Sequence, residues 1–345
     1  MKRKTNVLTL VAVLLSIVLC STIAANAIEM ELEVTDYTNK FQDIQSDSWY
    51  IDALNTSVTL GLMQGTSNET FNPNDNITRQ EFVMVLYRVD DKINLEKQKN
   101  DTVTTNFIDV DVSAWYANAV LWAEHNNITT GISDDKFGVN QSITREEVAT
   151  LLIRYLENHP YFAIKIDSTD EGEFADIDSV STWAKDSVEK SRSNGIFIGN
   201  QNGEFNPSEF ITRAEVAQVM SRFYLNLDCN FNTVFNAENI GKIMFTAVEL
   251  TLSGVEEKSY EISDNDELSS SIEYFSSLKP NEVTKDFTME TTGVYYLILT
   301  VFDKEGKEII KFKIANTNTL IISGFKAYIF EENCFEDYIS RLDAK

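Results

Sequence analysis

The sequence predicts a chain in two parts: an all-α half made of three copies of one helical unit, then a small α+β domain. Three observations lead there. The phrase Ile-Thr-Arg-x-Glu is written at Ile77–Glu81, Ile143–Glu147 and Ile211–Glu215. Each copy heads an apolar run with helical spacing: Phe82, Val85, Leu86, Val89; then Val148, Leu151, Leu152, Tyr155; then Val216, Val219, Met220, Phe223. Beyond residue 239 the apolar period shortens and the runs become β-rich.

Within each phrase the Thr and the Glu three residues later have the spacing of a capping box, so Thr78 with Glu81, Thr144 with Glu147 and Thr212 with Glu215 are expected to cap a helix. Arg79, Arg145 and Arg213 fall at the first helical position, where the helix dipole mildly disfavours a cation. A charge placed there three times has either of two uses. It binds an anion together with the free N–H groups of the helix start, or it pairs with a carboxylate of a neighbouring copy.

The remaining elements follow from spacing. Trp49, Trp115 and Trp183 each precede their Arg by 30 residues, and Gly65, Gly131 and Gly199 precede it by 14. Each copy opens on Phe-x-Asp, at Phe41 to Asp43, Phe107 to Asp109 and Phe174 to Asp176. The Trp opens a first helix that turns Leu54, Val120 or Val188 inward and stops near Gly61, Asn127 or Gly195, residues that tolerate a left-handed C-terminus. A loop of about a dozen residues leads to the capped second helix. It carries Phe71, Phe137 or Phe205, followed by Asn72-Pro73 and Asn206-Pro207 in copies one and three but by Gly138-Val139 in copy two. One helix pair cannot bury its stripe alone, whereas three can share a core.

In this register the Phe-x-Asp opening, the Trp, the loop Gly and Ile-Thr-Arg-x-Glu resemble three S-layer homology motifs, over about residues 41–224. The resemblance implies a pseudo-threefold domain with a central three-helix bundle and three prongs. It also implies binding of secondary cell-wall polysaccharide of Gram-positive bacteria in the grooves between prongs, often through a pyruvate ketal. On that basis Arg79, Arg145 and Arg213 are the anion contacts, Gly65, Gly131 and Gly199 give close backbone approach, and Trp49, Trp115 and Trp183 are sugar platforms. Asp43, Asp109 and Asp176 are hydroxyl acceptors or, equally, caps of the nearby turn or first helix. The Trp residues are platforms or core. Copy two departs from the pattern at Asn127 and Val139, and its loop is expected to sit differently.

Length and composition set the frame. A chain of 345 residues holds two or more domains. Lys2, Arg3 and Lys4, the apolar run Val7 to Leu19 and Ala25-Asn26-Ala27 outline a signal peptide over residues 1–27, or a retained anchor with a short apolar core. The net charge is −25, which disfavours nucleic acid and anionic lipid as partners. Cys20 lies in the leader, and Cys229 and Cys334 flank the last domain, where an oxidising compartment would allow them to pair. The expected organisation is motif one at 41–90, motif two at 107–157, motif three at 174–225, a linker at 226–239 and an α+β domain at 240–345. Residues 90–105 read as a polar linker, and Tyr161, Phe162, Ile164 and Ile166 mark 157–173 as a segment that packs.

In the last domain Lys242–Leu252, Ser259–Ile262, Val294–Phe302, Glu308–Ile314, Leu320–Ile322 and Phe325–Phe330 read as strands. Ser263-Asp264 caps a helix carrying Leu268, Ile272, Phe275 and Leu278, Asp303 to Gly306 is a hairpin turn, and Glu331–Leu342 reads as a closing helix. The two histidines, His125 and His159, both lie in the repeat half, so the last domain has no His-based triad and no Cys/His zinc set. No cofactor and no metal site are expected; the acidic Ser133-Asp134-Asp135 loop lacks the ligand spacing of an EF-hand. The expected function is a non-catalytic, secreted cell-surface protein that displays its C-terminal domain from the wall. The alternatives are a wall-anchored hydrolase with its active site in the last domain, and a subunit of an S-layer lattice.

Overall fold

The structure is a computed structural model and describes residues 34–93, 104–164, 172–251, 254–278, 282–285, 295–316, 319–322 and 326–329. The expected leader, Cys20, Ile166, most of the 90–105 linker, the closing helix and Cys334 lie outside the described residues. The chain forms two compact units, one from Val34–Asp91 with Gln98–Cys229, the other built on Asn230–Lys345.

In the first unit each copy supplies two helices. They are α1 Ile51–Thr59 and α2 Arg79–Ile93, α3 Ala117–His125 and α4 Arg145–Asn158, then α5 Lys185–Ser193 and α6 Arg213–Asn226. The apolar stripes named from the sequence are all buried, and Leu54, Val120 and Val188 are turned inward. The first helices end where the chain takes positive φ at Gly61 (+67°), Asn127 (+55°) and Gly195 (+62°). Asn replaces Gly there with the geometry kept, because a short polar side chain tolerates the left-handed region.

The residues before the three phrases close a circuit. Ile77 N–H donates to the Ile211 carbonyl, Ile143 N–H to Ile77, and Ile211 N–H to Ile143, each at 3.1 Å. All three isoleucines are fully buried, so each N–H would be costly without its partner. A two-stranded antiparallel ribbon, β1 Phe162–Ile164 with β2 Leu227–Cys229, ends this unit. Residues 226–239, expected as a linker, are therefore structured: β2 is buried along its length, and α7 (Phe231–Val234) opens the second unit. Their Asn-rich composition conceals Leu227, Phe231, Val234 and Phe235, all buried. Cys229 is buried as well.

Among the described residues the second unit holds a seven-stranded antiparallel sheet of order β4-β3-β6-β7-β8-β9-β5. Its strands are β3 Ile240–Thr251, β4 Gly254–Ile262, β5 Glu282–Lys285, β6 Tyr295–Asp303, β7 Glu308–Asn316, β8 Thr319–Ile322 and β9 Lys326–Ile329. Helix α8, Asn265–Ser277, follows β4 and is capped by Asp264, which accepts from the Asp266 and Glu267 N–H groups. Cross-strand register lines up Ile262, Ile243, Val301 and Ile310 in one buried row and Phe245, Leu299 and Phe312 in the next. Phe275 of α8 stacks 4.9 Å from Phe235, and Phe231 lies 5.7 Å from Phe312. The β6–β7 turn is held by Asp303 Oδ1, which accepts from Glu305 and Lys307 N–H. Strand β5 was not foreseen from the sequence.

Candidate functional site

Each repeat loop is pinned by the Asp of its own opening. Asp43 accepts from Phe71 N–H (2.9 Å) and Asn72 N–H (2.6 Å), and Asp176 from Phe205 and Asn206 N–H at 2.7 Å each. Asp109 accepts three bonds, from Phe137, Gly138 and Val139 N–H at 2.8, 2.8 and 3.0 Å. The third is available only in copy two, because Pro73 and Pro207 occupy the matching place and have no N–H. Burial pushes the Asp109 pKa up, but bonds from Phe137, Val139 and Gly138 outweigh it and hold the carboxyl below its ordinary range. The loop residue after each Phe has positive φ, at Asn72 (56°), Gly138 (91°) and Asn206 (57°). That left-handed residue is common to the three loops, but copy two takes a second one at Asn140 (63°) with no counterpart at Asn74 or Ser208, so its loop does differ as expected. None of these Asp residues caps the nearby turn or first helix; their partners lie 28 to 30 positions along the chain.

The loop glycines face the opening Phe. A Cβ on Gly65 would lie 2.4 Å from the Phe41 ring, and one on Gly131 would lie 2.4 Å from the Lys136 carbonyl and 2.6 Å from the Phe107 ring. Gly199 is less tight, at 3.2 Å from the Glu204 carbonyl. Close approach is real at all three, and what approaches is the copy's own loop and ring.

The helix starts carry the connections between copies. Thr144 and Thr212 form complete capping boxes with Glu147 and Glu215, and Glu81 Oε2 accepts from the Thr78 N–H and hydroxyl. The arginines' own backbone N–H groups are occupied. Those of Arg79, Arg145 and Arg213 donate to the carbonyls of Gln141, Glu209 and Asp75, each in the next copy around the circuit.

The arginine side chains cross the same way. Arg79 Nε donates to the Phe137 carbonyl and Nη1 to Glu147 at 2.7 Å. Arg145 Nε donates to Phe205 and Nη1 to Glu215 at 2.8 Å. Arg213 returns to copy one, with Nε on the Phe71 carbonyl, Nη2 on Gln64 and Nη1 3.9 Å from Glu81. Each guanidinium also lies over the ring of the Phe it bonds, at 4.8 to 5.4 Å. Burial pulls all three arginine pKa values below the ordinary guanidinium value, and the capping glutamate opposes it. Of the two uses open to these arginines, pairing with a neighbouring copy's carboxylate is present in the structure.

The tryptophans stand outside. Trp49, Trp115 and Trp183 are 66, 62 and 57% exposed, two residues ahead of α1, α3 and α5. Trp49 and Trp115 each meet the following Tyr edge-on, with centroids 5.4 Å apart. An exposed indole at one place in every repeat is a flat apolar face offered to solvent, not core.

The sequence profile of the S-layer homology domain matches residues 40–83, 106–149 and 173–217. The repeats are S-layer homology domains. The chain is 34% identical over 180 residues to the surface-layer 125 kDa protein of Lysinibacillus sphaericus, covering 51% of this chain and 14% of that protein. It is 30% identical over 184 residues to an endoglucanase of Bacillus sp. (strain KSM-635), covering 52% and 18%. It is 32% identical over 186 residues to an amylopullulanase of Thermoanaerobacterium thermosulfurigenes, covering 54% and 9%. The chain thus spans less than a fifth of the length of these relatives. Its S-layer homology domains place it with the cell-surface proteins of Gram-positive bacteria, and no helix among the described residues is long and apolar enough to cross a membrane.

The sequence left open that each Arg pairs with a neighbouring copy's carboxylate, but sequence reasoning missed that this carboxylate is the capping Glu itself. Each capping Glu serves two copies, one oxygen on its own helix start and the other toward the preceding copy's Arg. Gln80 and Asn140 also exchange two bonds between copies one and two, at 2.8 and 2.9 Å. The residue at the variable position of Thr-Arg-x-Glu, adjoining the Arg, was the available signal.

Proposed function

We propose that the three S-layer homology domains anchor this chain to the cell wall by binding secondary cell-wall polysaccharide, and that residues 240–345 are displayed from that anchor. The three domains, at 41–90, 107–157 and 174–225, form a pseudo-threefold assembly around a three-helix bundle of α2, α4 and α6. The closed circuit of Ile77, Ile143 and Ile211 supports that arrangement. The observation that carries the binding reading is the exposed Trp at the same place in each repeat, since a sugar ring presents a C–H face that stacks on an indole. Loop backbone near Gly65, Gly131 and Gly199 and the carboxylates of Asp43, Asp109 and Asp176 border these platforms in the assignment. Arg79, Arg145 and Arg213 are assigned to the carboxylate of a pyruvate ketal. The domains are non-catalytic. A hydrolytic second unit is the competing reading, favoured by the endoglucanase and the amylopullulanase among the relatives.

Co-sedimentation of the full chain with purified wall polysaccharide tests this. The chain should pellet with native polysaccharide, and the Trp49→Ala/Trp115→Ala/Trp183→Ala variant should stay in solution. Equal binding to polysaccharide stripped of its ketals would remove the anion assignment, and no binding to native polysaccharide would remove the anchor.

A further inference from the structure

The three tryptophan platforms are not built alike. In copies one and two the opening Phe and the Trp are eight residues apart, and in copy three Phe174 and Trp183 are nine apart. The added residue goes into a 3-10 turn, Ile177–Ser179, ahead of the platform. It changes what holds the segment just ahead of the platform. In copies one and two Ser48 and Ala114 immediately precede the Trp. Their carbonyls accept from Ile51 and Ala117, and their own N–H groups donate to the local carbonyls of Gln45 and Asp111. In copy three the turn ahead of the helix is made one residue earlier, by Ser181, two residues before Trp183; the Ser181 carbonyl accepts from Ala184 N–H at 2.9 Å. Its N–H donates instead to Glu146 Oε2 at 2.9 Å, and its hydroxyl to Glu146 Oε1 at 2.8 Å.

Glu146 belongs to copy two. It is the variable residue of Thr144-Arg145-Glu146-Glu147, is 7% exposed, and sits in the first turn of α4, where the helix dipole favours a carboxylate. The equivalent residues do nothing comparable: Gln80 bonds Asn140, and Ala214 has no polar side chain. Both Glu146 oxygens are therefore spent on one serine two residues before Trp183.

Resting on the wall-anchoring reading above, we infer that Glu146 is a positioning residue for polysaccharide: acting from copy two through Ser181, it fixes the Trp183 platform of copy three to receive the apolar face of a sugar ring. A platform held in its bound position gives up less conformational freedom on binding, so Trp183 is the strongest of the three.

A double-mutant cycle on the full chain, read as dissociation constants for wall polysaccharide, tests this. Trp183→Ala should weaken binding about three- to ten-fold, the scale of one aromatic contact, and more than Trp49→Ala or Trp115→Ala. Glu146→Ala should weaken binding in the same direction, and adding it to Trp183→Ala should cost nothing further, because the carboxylate acts through the indole. Glu146→Gln, which keeps an acceptor for the Ser181 N–H, should restore part of the loss. If Glu146→Ala abolishes cooperative melting, Ser181→Ala, which removes only the hydroxyl bond, carries the same cycle. Additive losses, or a Glu146 or Ser181 variant with full affinity, overturn the inference while leaving the anchor in place. Full affinity in all three Trp variants overturns the platform reading itself.

Discussion

At the helix starts of the repeats, the contacts passed from copy to copy are polar and closed in a circuit, whereas in the sheet unit the helices meet the strands through packed aromatic rings. Arg79, Arg145 and Arg213 each reach a Phe carbonyl and approach a capping carboxylate of the following copy, and the third returns to the first. In the other unit Phe231, Phe235, Phe245, Phe275 and Phe312 bring α7 and α8 onto β3 and β7 with no comparable charge among them. The difference teaches that the two units should fail differently. Loss of a ring leaves a cavity whose cost follows its volume. Loss of one carboxylate leaves a buried cation without its partner and opens a circuit that runs through all three copies.

The largest effect is expected in the sheet unit. Phe275→Ala removes a fully buried ring from the face of α8 and should cost about 3–5 kcal/mol, measured as faster amide exchange in β3 and β6. Glu147→Ala comes next, at about 2–4 kcal/mol by denaturant unfolding, because one side chain both completes the Thr144 cap and pairs with Arg79. A cost within a single cap, about 1 kcal/mol, would mean that the arginine pair adds nothing. Asp109→Ala frees three loop N–H groups and should cost about 1–3 kcal/mol at neutral pH. The sign with pH is fixed by the direction of the shift. The Asp109 pKa is lowered in the folded chain, so its contribution is complete above the ordinary carboxylate pKa near ~4 and is lost as pH falls through the folded value. The gap between Asp109→Ala and wild type should therefore close in acid. Smallest is Val139→Pro, which gives copy two the Pro of its neighbours. It removes one Asp109 bond and lowers the entropy of the unfolded loop, a net change within about 1 kcal/mol.

Local signals in the sequence carried the helices well. Positive φ at Gly61, Asn127 and Gly195 followed from residue type alone, and the stripes from Phe82 to Phe223 followed from periodicity. What the sequence concealed is long-range. Arg213 meets Phe71 and Gln64 across more than 140 residues, so no spacing rule links them, and the cation beside a positive helix end was open to either reading. The same holds for Asp43 and its loop. In the sheet unit β5 escaped because Glu282–Lys285 carries a single apolar residue, Val283, whereas the equally short β8 and β9 lie in apolar runs. The buried Phe231 and Phe235 were masked by the asparagines around them.

The account rests most directly on the circuit, and amide exchange at Ile77, Ile143 and Ile211 in the full chain tests it. Each of these N–H groups donates to the next isoleucine around the ring, so one opening should expose all three. In the unaltered chain they should exchange with closely similar protection. Glu215→Ala, which removes the Glu of the third capping box and its contact with Arg145, should lower protection at all three together. Loss of protection at Ile211 alone, with Ile77 and Ile143 unchanged, would show three independent helix pairs and contradict the closed circuit.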